Sequence, residues 1–397
     1  MSQQLISRSP DLKRLRDEGY DVEVRSGHLL MKDVPYVNAA KEVKLGTLVS
    51  ELTLAGDVTS APSTHVAHFM GEHPCVKDGS LIARIKNESR EQKLAEGVVI
   101  QHSFSSKPLS GAYKDYHEKM TTYAAIISSQ AQALDPRTTP TPFPVVEPAQ
   151  DESVFNYLDT ASSRAGIGAM ATKLEIGKLA IVGLGGTGSY VLDLVAKTPV
   201  KEIHLFDGDK LLNHNAFRSP GAASIEQLRA KPSKVAYLQE QYSKMHRKIV
   251  AHDCYLDGSN VDQLQGMNFV FLCLDKGSQK QAIVDRLEAW GTAFIDVGMG
   301  VQLVDDALLG VVRVTTSTPQ KRDHIRDKKR IPFTDGDGHN EYSQNIQIAD
   351  LNALNASLAV IRWKRLCGFY KDLEGEHFSA YEIDGNHLLN EDHVCGA

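Results

Sequence analysis

Cysteine is scarce in this chain and never paired. Its 397 residues contain five, at Cys75, Cys254, Cys273, Cys367 and Cys395, with no C-x-x-C. An odd number at wide spacing argues against a disulfide framework and against a paired-cysteine zinc site. An excess of one charge is also missing. Forty-four basic residues against 50 acidic ones leave a formal net charge of −6, with signs mixed along the chain. Nothing in that balance points to nucleic acid as a partner. No apolar run approaches the length of a membrane span, and the first residues hold no apolar signal core. The expectation is a soluble cytoplasmic protein with no membrane partner. The length suits two domains, or one large one, around a sizeable core.

What is present centres on Lys178 to Asp209, KLAIVGLGGTGSYVLDLVAKTPVKEIHLFDGD. Leu179 to Val182 form the apolar run of a strand buried on both faces. Gly183, Gly185, Gly186 and Gly188 follow at once. Tyr190, Val191, Leu194 and Val195 then recur at helical spacing, and Ile203 to Phe206 make a second apolar run ending at Asp207. Strand, glycine turn, helix, strand and acid within about 30 residues is one βαβ unit. Glycines let backbone approach a ligand closely, and the N–H groups of a helix N-terminus attract an anion. Asp207 stands where it can accept from a ribose. The unit points to a bound nucleotide.

The first 150 residues are less informative. Leu29 to Val34, Leu48 to Leu54 and Val98 to Phe104 resemble short strands, and Tyr113 to Leu134 has helical spacing. The Pro- and Thr-rich stretch from Asp135 to Gln150 cannot be regular structure and reads as a linker. Domains are therefore expected at 1–134 and 153–397, joined by 135–152. In THVAHFMGEHPC, the residues His65, His68, His73 and Cys75 are chemically interesting, yet a strand followed by a turn explains them most simply. Metal ligation would want a tighter pattern, and no local feature lowers the pKa of Cys75.

Beyond Asp209 strands and helices keep alternating. Helices are expected at Ser233 to Arg247, Gln279 to Trp290 and Gln347 to Phe369. Strands are expected at Ile249 to Leu256, Asn268 to Leu274, Ala293 to Val297 and Gly310 to Thr316, with a last strand or hairpin from Phe378 to Leu389. Pro319 to Asn345 reads as irregular, and its basic run Lys321 to Arg330 as a solvated loop or a docking element. The fold class expected is α/β, a Rossmann-like doubly wound and mostly parallel sheet, with a smaller α+β N-terminal domain.

Two nucleotide chemistries suit such a sheet. Gly183, Gly185 and Gly188 satisfy G-x-G-x-x-G, and Asp207 follows Gly188 by 19 residues, as NAD would require. The series after it, Asp209, Asn215, Arg218, Lys234 and Asp275, is foreign to an NAD site. It suits ATP, whose triphosphate needs cations and a carboxylate for Mg²⁺.

At these residues the sequence resembles the ThiF/MoeB and ubiquitin-activating superfamily of adenylating enzymes. Gly183-x-Gly185-Gly186-x-Gly188-Ser189 is similar to the family's nucleotide loop, Asp207-x-Asp209 to its D-x-D, and Asn215-x-x-Arg218 to its N-x-x-R. Lys234 in PSKV matches the P-K-V lysine, and Asp275 the magnesium-binding aspartate; Lys276 stands where that family usually has Asn. LNALNASLAV resembles its late helix. The likeness runs from about Ser153 onward and does not reach residues 1–150. It implies that the glycine loop, Asp207, Asp209 and Asn215 hold ATP, that Arg218 and Lys234 bind phosphates, and that Asp275 holds Mg²⁺. The substrate implied is a C-terminal carboxylate, usually of a ubiquitin-like protein, which becomes an acyl adenylate as pyrophosphate leaves. A sulfur carrier, peptide or RNA substrate stays open, as do an NAD-binding oxidoreductase and a non-catalytic adaptor. The likeness further implies a homodimer in which an upstream arginine, for which Arg164 is the candidate, serves a neighbouring ATP, and a possible conjugating enzyme as partner. Thr315 to Asn345 lacks a thiol, so a covalent intermediate there would need a hydroxyl such as Thr316, Ser317, Thr318, Thr334 or Ser343.

Overall fold

The computed structural model of the chain describes residues 2–148, 153–334 and 346–394. Cys395 and Ser343 lie outside them. The chain forms two compact units, residues 1–152 with 157–167, and residues 153–156 with 168–397.

The first unit carries α1 (Ser2–Arg8), α2 (Pro10–Asp17), β1 (Asp21–Arg25), β2 (His28–Val37), β3 (Val43–Glu51), β4 (Val66–Met70), β5 (Lys86–Ala95), β6 (Val98–Ser105) and α3 (Tyr116–Gln132). The strands make one antiparallel sheet in the order β1-β2-β3-β4-β6-β5. Asp115 caps α3 by accepting from the Glu118 N–H at 2.7 Å, and Tyr116, Met120, Tyr123 and Ile127 pack into the same core as Leu29, Met31, Leu48 and Phe69. Residues 135–148 contain no helix or strand. They are tied to this unit where the Phe143 N–H donates to Gly19 O.

The second unit contains β7 (Lys178–Val182), α4 (Gly186–Val195), β8 (Glu202–Phe206), α5 (Lys234–Tyr242), β9 (Ile249–His252), β10 (Phe269–Leu272), α6 (Gly277–Trp290), β11 (Ala293–Val304), β12 (Ala307–Ser317), α7 (Ala349–Leu366), β13 (Phe378–Glu382) and β14 (His387–Glu391). One sheet runs β9-β8-β7-β10-β11-β12-β13-β14. It is parallel from β9 to β11 and antiparallel from β11 to β14. Residues along β7 alternate between two cores. Leu179 and Ile181 join α4, α5 and α7, whereas Ala180 and Val182 join α6. This is why the run is apolar at every position. Trp363 of α7 is wholly buried against Phe269 and Phe271. Burying such a side chain stabilises the fold by about 2–3 kcal/mol.

The doubly wound sheet and the smaller antiparallel unit agree with the expected class. The basic run from Lys321 to Arg330 does not behave as a solvated loop. Its middle is the short helix His324–Asp327. Arg326 reaches Asp285 at 2.7 Å and Glu288 at 2.6 Å, Lys328 reaches Asp392 at 2.5 Å, and Arg330 pairs with Asp392 at 2.9 Å and with Glu391. These cations staple α6 and the final hairpin together. Among the described residues no helix is long and apolar enough to cross a membrane.

Candidate active site

Strand order reverses at β7, because β8 lies on one side of it and β10 on the other. Loops after adjacent strands part there, and a crevice opens at the strands' carboxyl ends. A cleft of about 220 Å³ occupies this place. Its walls include Gly183, Gly185 and Gly186 after β7, Asp207 and Asp209 after β8, Arg218, Lys234, and Asp275 after β10.

The glycine loop is shaped by what cannot fit. Gly183 has φ +87°, and a Cβ there would come 2.6 Å from Cys273 O. A Cβ on Gly188 would collide with the Gly183 carbonyl, and one on Gly186 with the Asn352 side chain. Both would push the loop out of place. Gly185 differs, since a Cβ there would meet only Gln347 Oε1 at 4.0 Å. It is the N-cap of α4 and supplies no capping side chain. The first-turn N–H groups of α4 therefore depend on another acceptor, and a phosphate suits them.

Asp207 is nearly buried and holds this loop. Its Oδ2 accepts from the Leu184 N–H at 2.6 Å and its Oδ1 from the Asp209 N–H at 2.8 Å. Lys234, at the first turn of α5, puts its Nζ 2.6 Å from Asp209 Oδ2 and 3.5 Å from Asp207 Oδ2. An ammonium has three donors, so one stays available to a ligand in the cleft. Partial burial works to raise the Asp209 pKa, but hydrogen bonds from Lys234 and Tyr255 outweigh it and hold the carboxyl below its ordinary range. The same contact with Asp209, together with desolvation, pushes the Tyr255 phenol up to about 12.

Arg218 borders the cleft, and its Nε is buried without a hydrogen-bond partner among the described residues. Asn215 does not border it. Its Oδ1 accepts from the Leu212 N–H at 2.8 Å and its carbonyl from the Arg218 N–H at 3.1 Å, so it shapes the turn that carries Arg218. Gly188 likewise packs behind the loop. Arg164 lies in the first unit, exposed, in a recess with Lys13, Arg14, Asp17 and Glu18.

Asp275 is exposed at the cleft, and its Oδ2 accepts from Gln347 Nε2 at 3.3 Å. Among the described residues no group of three or more His, Cys, Asp or Glu side chains could hold a metal ion. A single carboxylate does not make a resident metal site, but it fits Mg²⁺ that arrives on phosphates and keeps its waters.

Three contributors escaped sequence reasoning. Asn352 of α7 accepts from the Thr187 hydroxyl at 2.8 Å and backs the glycine loop. Gln347 meets Asp275, and Tyr255 meets Asp209. For Asn352 the sequence signal was the helix LNALNASLAV, which marks the element without singling out a side chain. Among the described residues no thiol stands ready as a nucleophile. Burial raises the pKa of Cys75, Cys254 and Cys273, and pushes Cys367 up to about 11. Thr316, Ser317 and Thr318 are buried too, so these three hydroxyls are poorly placed for an ester.

A family model described as the ThiF family matches residues 162–333, and one described as a domain of unknown function (DUF6791) matches residues 10–160. No curated protein matches the chain in sequence. Solved structures similar to it include the selenomethionine form of PaaA, at 15% identity and TM-score 0.44, covering 56% of this chain and 66% of that one. Escherichia coli MccB with ATP is similar at 16% identity and TM-score 0.43, covering 57% and 68%. The microcin C7 biosynthetic enzyme MccB with N-formylated MccA is similar at 18% identity and TM-score 0.45, covering 57% and 70%. The match thus spans just under two thirds of PaaA and slightly more of MccB.

Proposed function

We propose, from the match of residues 162–333 to the ThiF family model, that this chain is an ATP-dependent adenylating enzyme that activates a carboxylate. The observation that carries the reading is the cleft itself. It combines an uncapped helix N-terminus, the three cations Arg218, Lys234 and Lys276, and an exposed carboxylate, a set that suits a triphosphate and not a dinucleotide.

In this reading Asp207 fixes the glycine loop and accepts from the ribose. The α4 N-terminus and Arg218 hold phosphate oxygens, and Lys234 stabilises charge that grows on the α-phosphate. Asp275 would hold Mg²⁺, which would neutralise charge on the phosphates. The acceptor carboxylate attacks the α-phosphorus, the bond to the β-phosphate oxygen breaks, and acyl adenylate and pyrophosphate result. The protein contributes positioning and electrostatics to this step, with no covalent enzyme intermediate. The finer assignment we favour for the acceptor is the C-terminus of a ubiquitin-like protein, with transfer onward to a conjugating enzyme, in the cytoplasm. Calorimetry with the full chain checks the nucleotide. ATP with Mg²⁺ is expected to bind and NAD not to compete; tight NAD binding without ATP binding would end the reading.

We also propose a homodimer in which Arg164 serves the neighbouring protomer's ATP. Arg164 is exposed and is not among the residues lining the cleft of unit 2. Mixing folded Arg164→Ala with folded Asp275→Ala protein should restore part of the activity that each lacks alone. A mixed dimer that shows no rescue would remove Arg164 from that role.

A further inference from the structure

A groove leaves the nucleotide cleft along β11, sharing Asp275, Val297, Gly298 and Met299 with it and adding Gly300 and Arg313. We propose that Arg313 is the receptor for the acceptor's carboxylate, and that this groove brings that carboxylate to the nucleotide. The inference rests on the adenylation reading and deepens it.

Register sets the geometry. β11 and β12 pair so that Gly298 faces Arg313 and Gly300 faces Val311. A Cβ on Gly298 would lie 2.5 Å from Arg313 Nη2 and 2.9 Å from its Cζ, so the guanidinium rests on bare backbone. A Cβ on Gly300 would meet nothing within 4 Å, which leaves the floor of the groove open. Asn355 of α7 donates to Gly298 O at 3.0 Å and steadies the strand where the arginine crosses it.

Charge decides what the arginine can take. The nearest carboxylate, Asp296, is wholly buried. Lys280, itself buried, sits 2.6 Å from Asp296 Oδ1 and compensates it, while Arg313 Nη2 donates to Oδ2 over a longer 3.4 Å. Asp296 is thus shared by two cations, and the groove's other carboxylate, Asp275, is the one assigned to Mg²⁺, so a positive charge is left over once the metal is bound. Arg313 is about one quarter exposed, and its Nε is buried with no hydrogen-bond partner among the described residues. A planar guanidinium at the edge of a groove, tied only by one long bond to a carboxylate that a lysine already neutralises, suits a further carboxylate. Such a hold keeps the acceptor ionised as it nears the phosphates, where repulsion would otherwise favour its protonation.

Arginine-selective modification of the full chain with phenylglyoxal, mapped by mass spectrometry, tests this without relying on turnover. The probes are N-acetylglycylglycine and its C-terminal amide, each with a non-hydrolysable ATP analogue and Mg²⁺. Arg313 should be modified in the free chain and with the analogue alone. The free-acid probe should slow that modification several-fold, and the amide should not. Protection by the analogue alone would make Arg313 a phosphate contact and overturn the proposal. Equal effects of acid and amide, or no modification of Arg313 under any condition, would overturn it too. A folded Arg313→Gln variant should keep its ATP affinity in calorimetry, whereas loss of a phosphate contact would cost about tenfold or more. Failure of the wild-type chain to bind ATP would sink the adenylation reading and this inference together; failure of the protection pattern alone would sink only this one.

Discussion

Lys234→Ala is expected to lower the rate of ATP–pyrophosphate exchange at saturating ATP by about 100- to 1,000-fold, the usual cost of losing one electrostatic donor in a preorganised site. The structure explains why so much rests on this residue. Its Nζ sits 2.6 Å from Asp209 and 3.5 Å from Asp207, nearly buried, with a donor left over for the ligand. Removing it takes away that donor and leaves two carboxylates facing the site where phosphates must bind. Asp207 is left buried and Asp209 half exposed, so the fold also loses stability, by less than the roughly 3–5 kcal/mol that unpairing a fully buried charge costs. Thermal melts therefore accompany the kinetics, and Asp209→Asn in the Lys234→Ala background should recover stability without recovering rate. Near-normal exchange by folded Lys234→Ala protein would contradict the role assigned to it.

Asp275→Ala is expected to reduce exchange to below about one hundredth while leaving the melting temperature unchanged. The two expectations have one cause. Asp275 is exposed and meets Gln347 at the cleft, so its removal is expected to leave the core as it is. Its value lies in being the carboxylate at the mouth of a cleft where no cluster of three metal-binding side chains stands in for it among the described residues. Calorimetry separates this from general damage. Mg²⁺ should strengthen ATP binding to the wild-type chain and have little effect on the variant. Full activity in the variant, or an unchanged response to Mg²⁺, would remove Asp275 from the site.

The central βαβ unit was legible because its physics is local. A strand apolar at every position, a glycine turn and an amphipathic helix lie side by side in the chain, and Asp207 closes the next strand. Spaced residues such as Arg218, Lys234 and Asp275 were placed by their resemblance to a family, and the fold does gather them around one cleft. What escaped depends on distant partners. The cations from Arg326 to Arg330 read as solvated charge, yet they pair with Asp285 and Glu288 before them and with Glu391 and Asp392 after them. β5 was missed because eight of its ten residues are exposed, so no alternation of apolar and polar residues marks it. Arg313 looked like one more residue of a strand, GVVRVTT. Only cross-strand register brings it over Gly298.

The most direct test of adenylation is the identity of the products. The full chain is incubated with Mg²⁺, ATP labelled at the α-phosphate, labelled pyrophosphate, and a set of small proteins and peptides with free or amidated C-termini. The account predicts that pyrophosphate label enters ATP only with a free carboxylate, and that hydroxylamine converts the activated acceptor to a hydroxamate while AMP is released. Release of ADP and inorganic phosphate in place of AMP and pyrophosphate, or exchange indifferent to amidation of the acceptor, would contradict it.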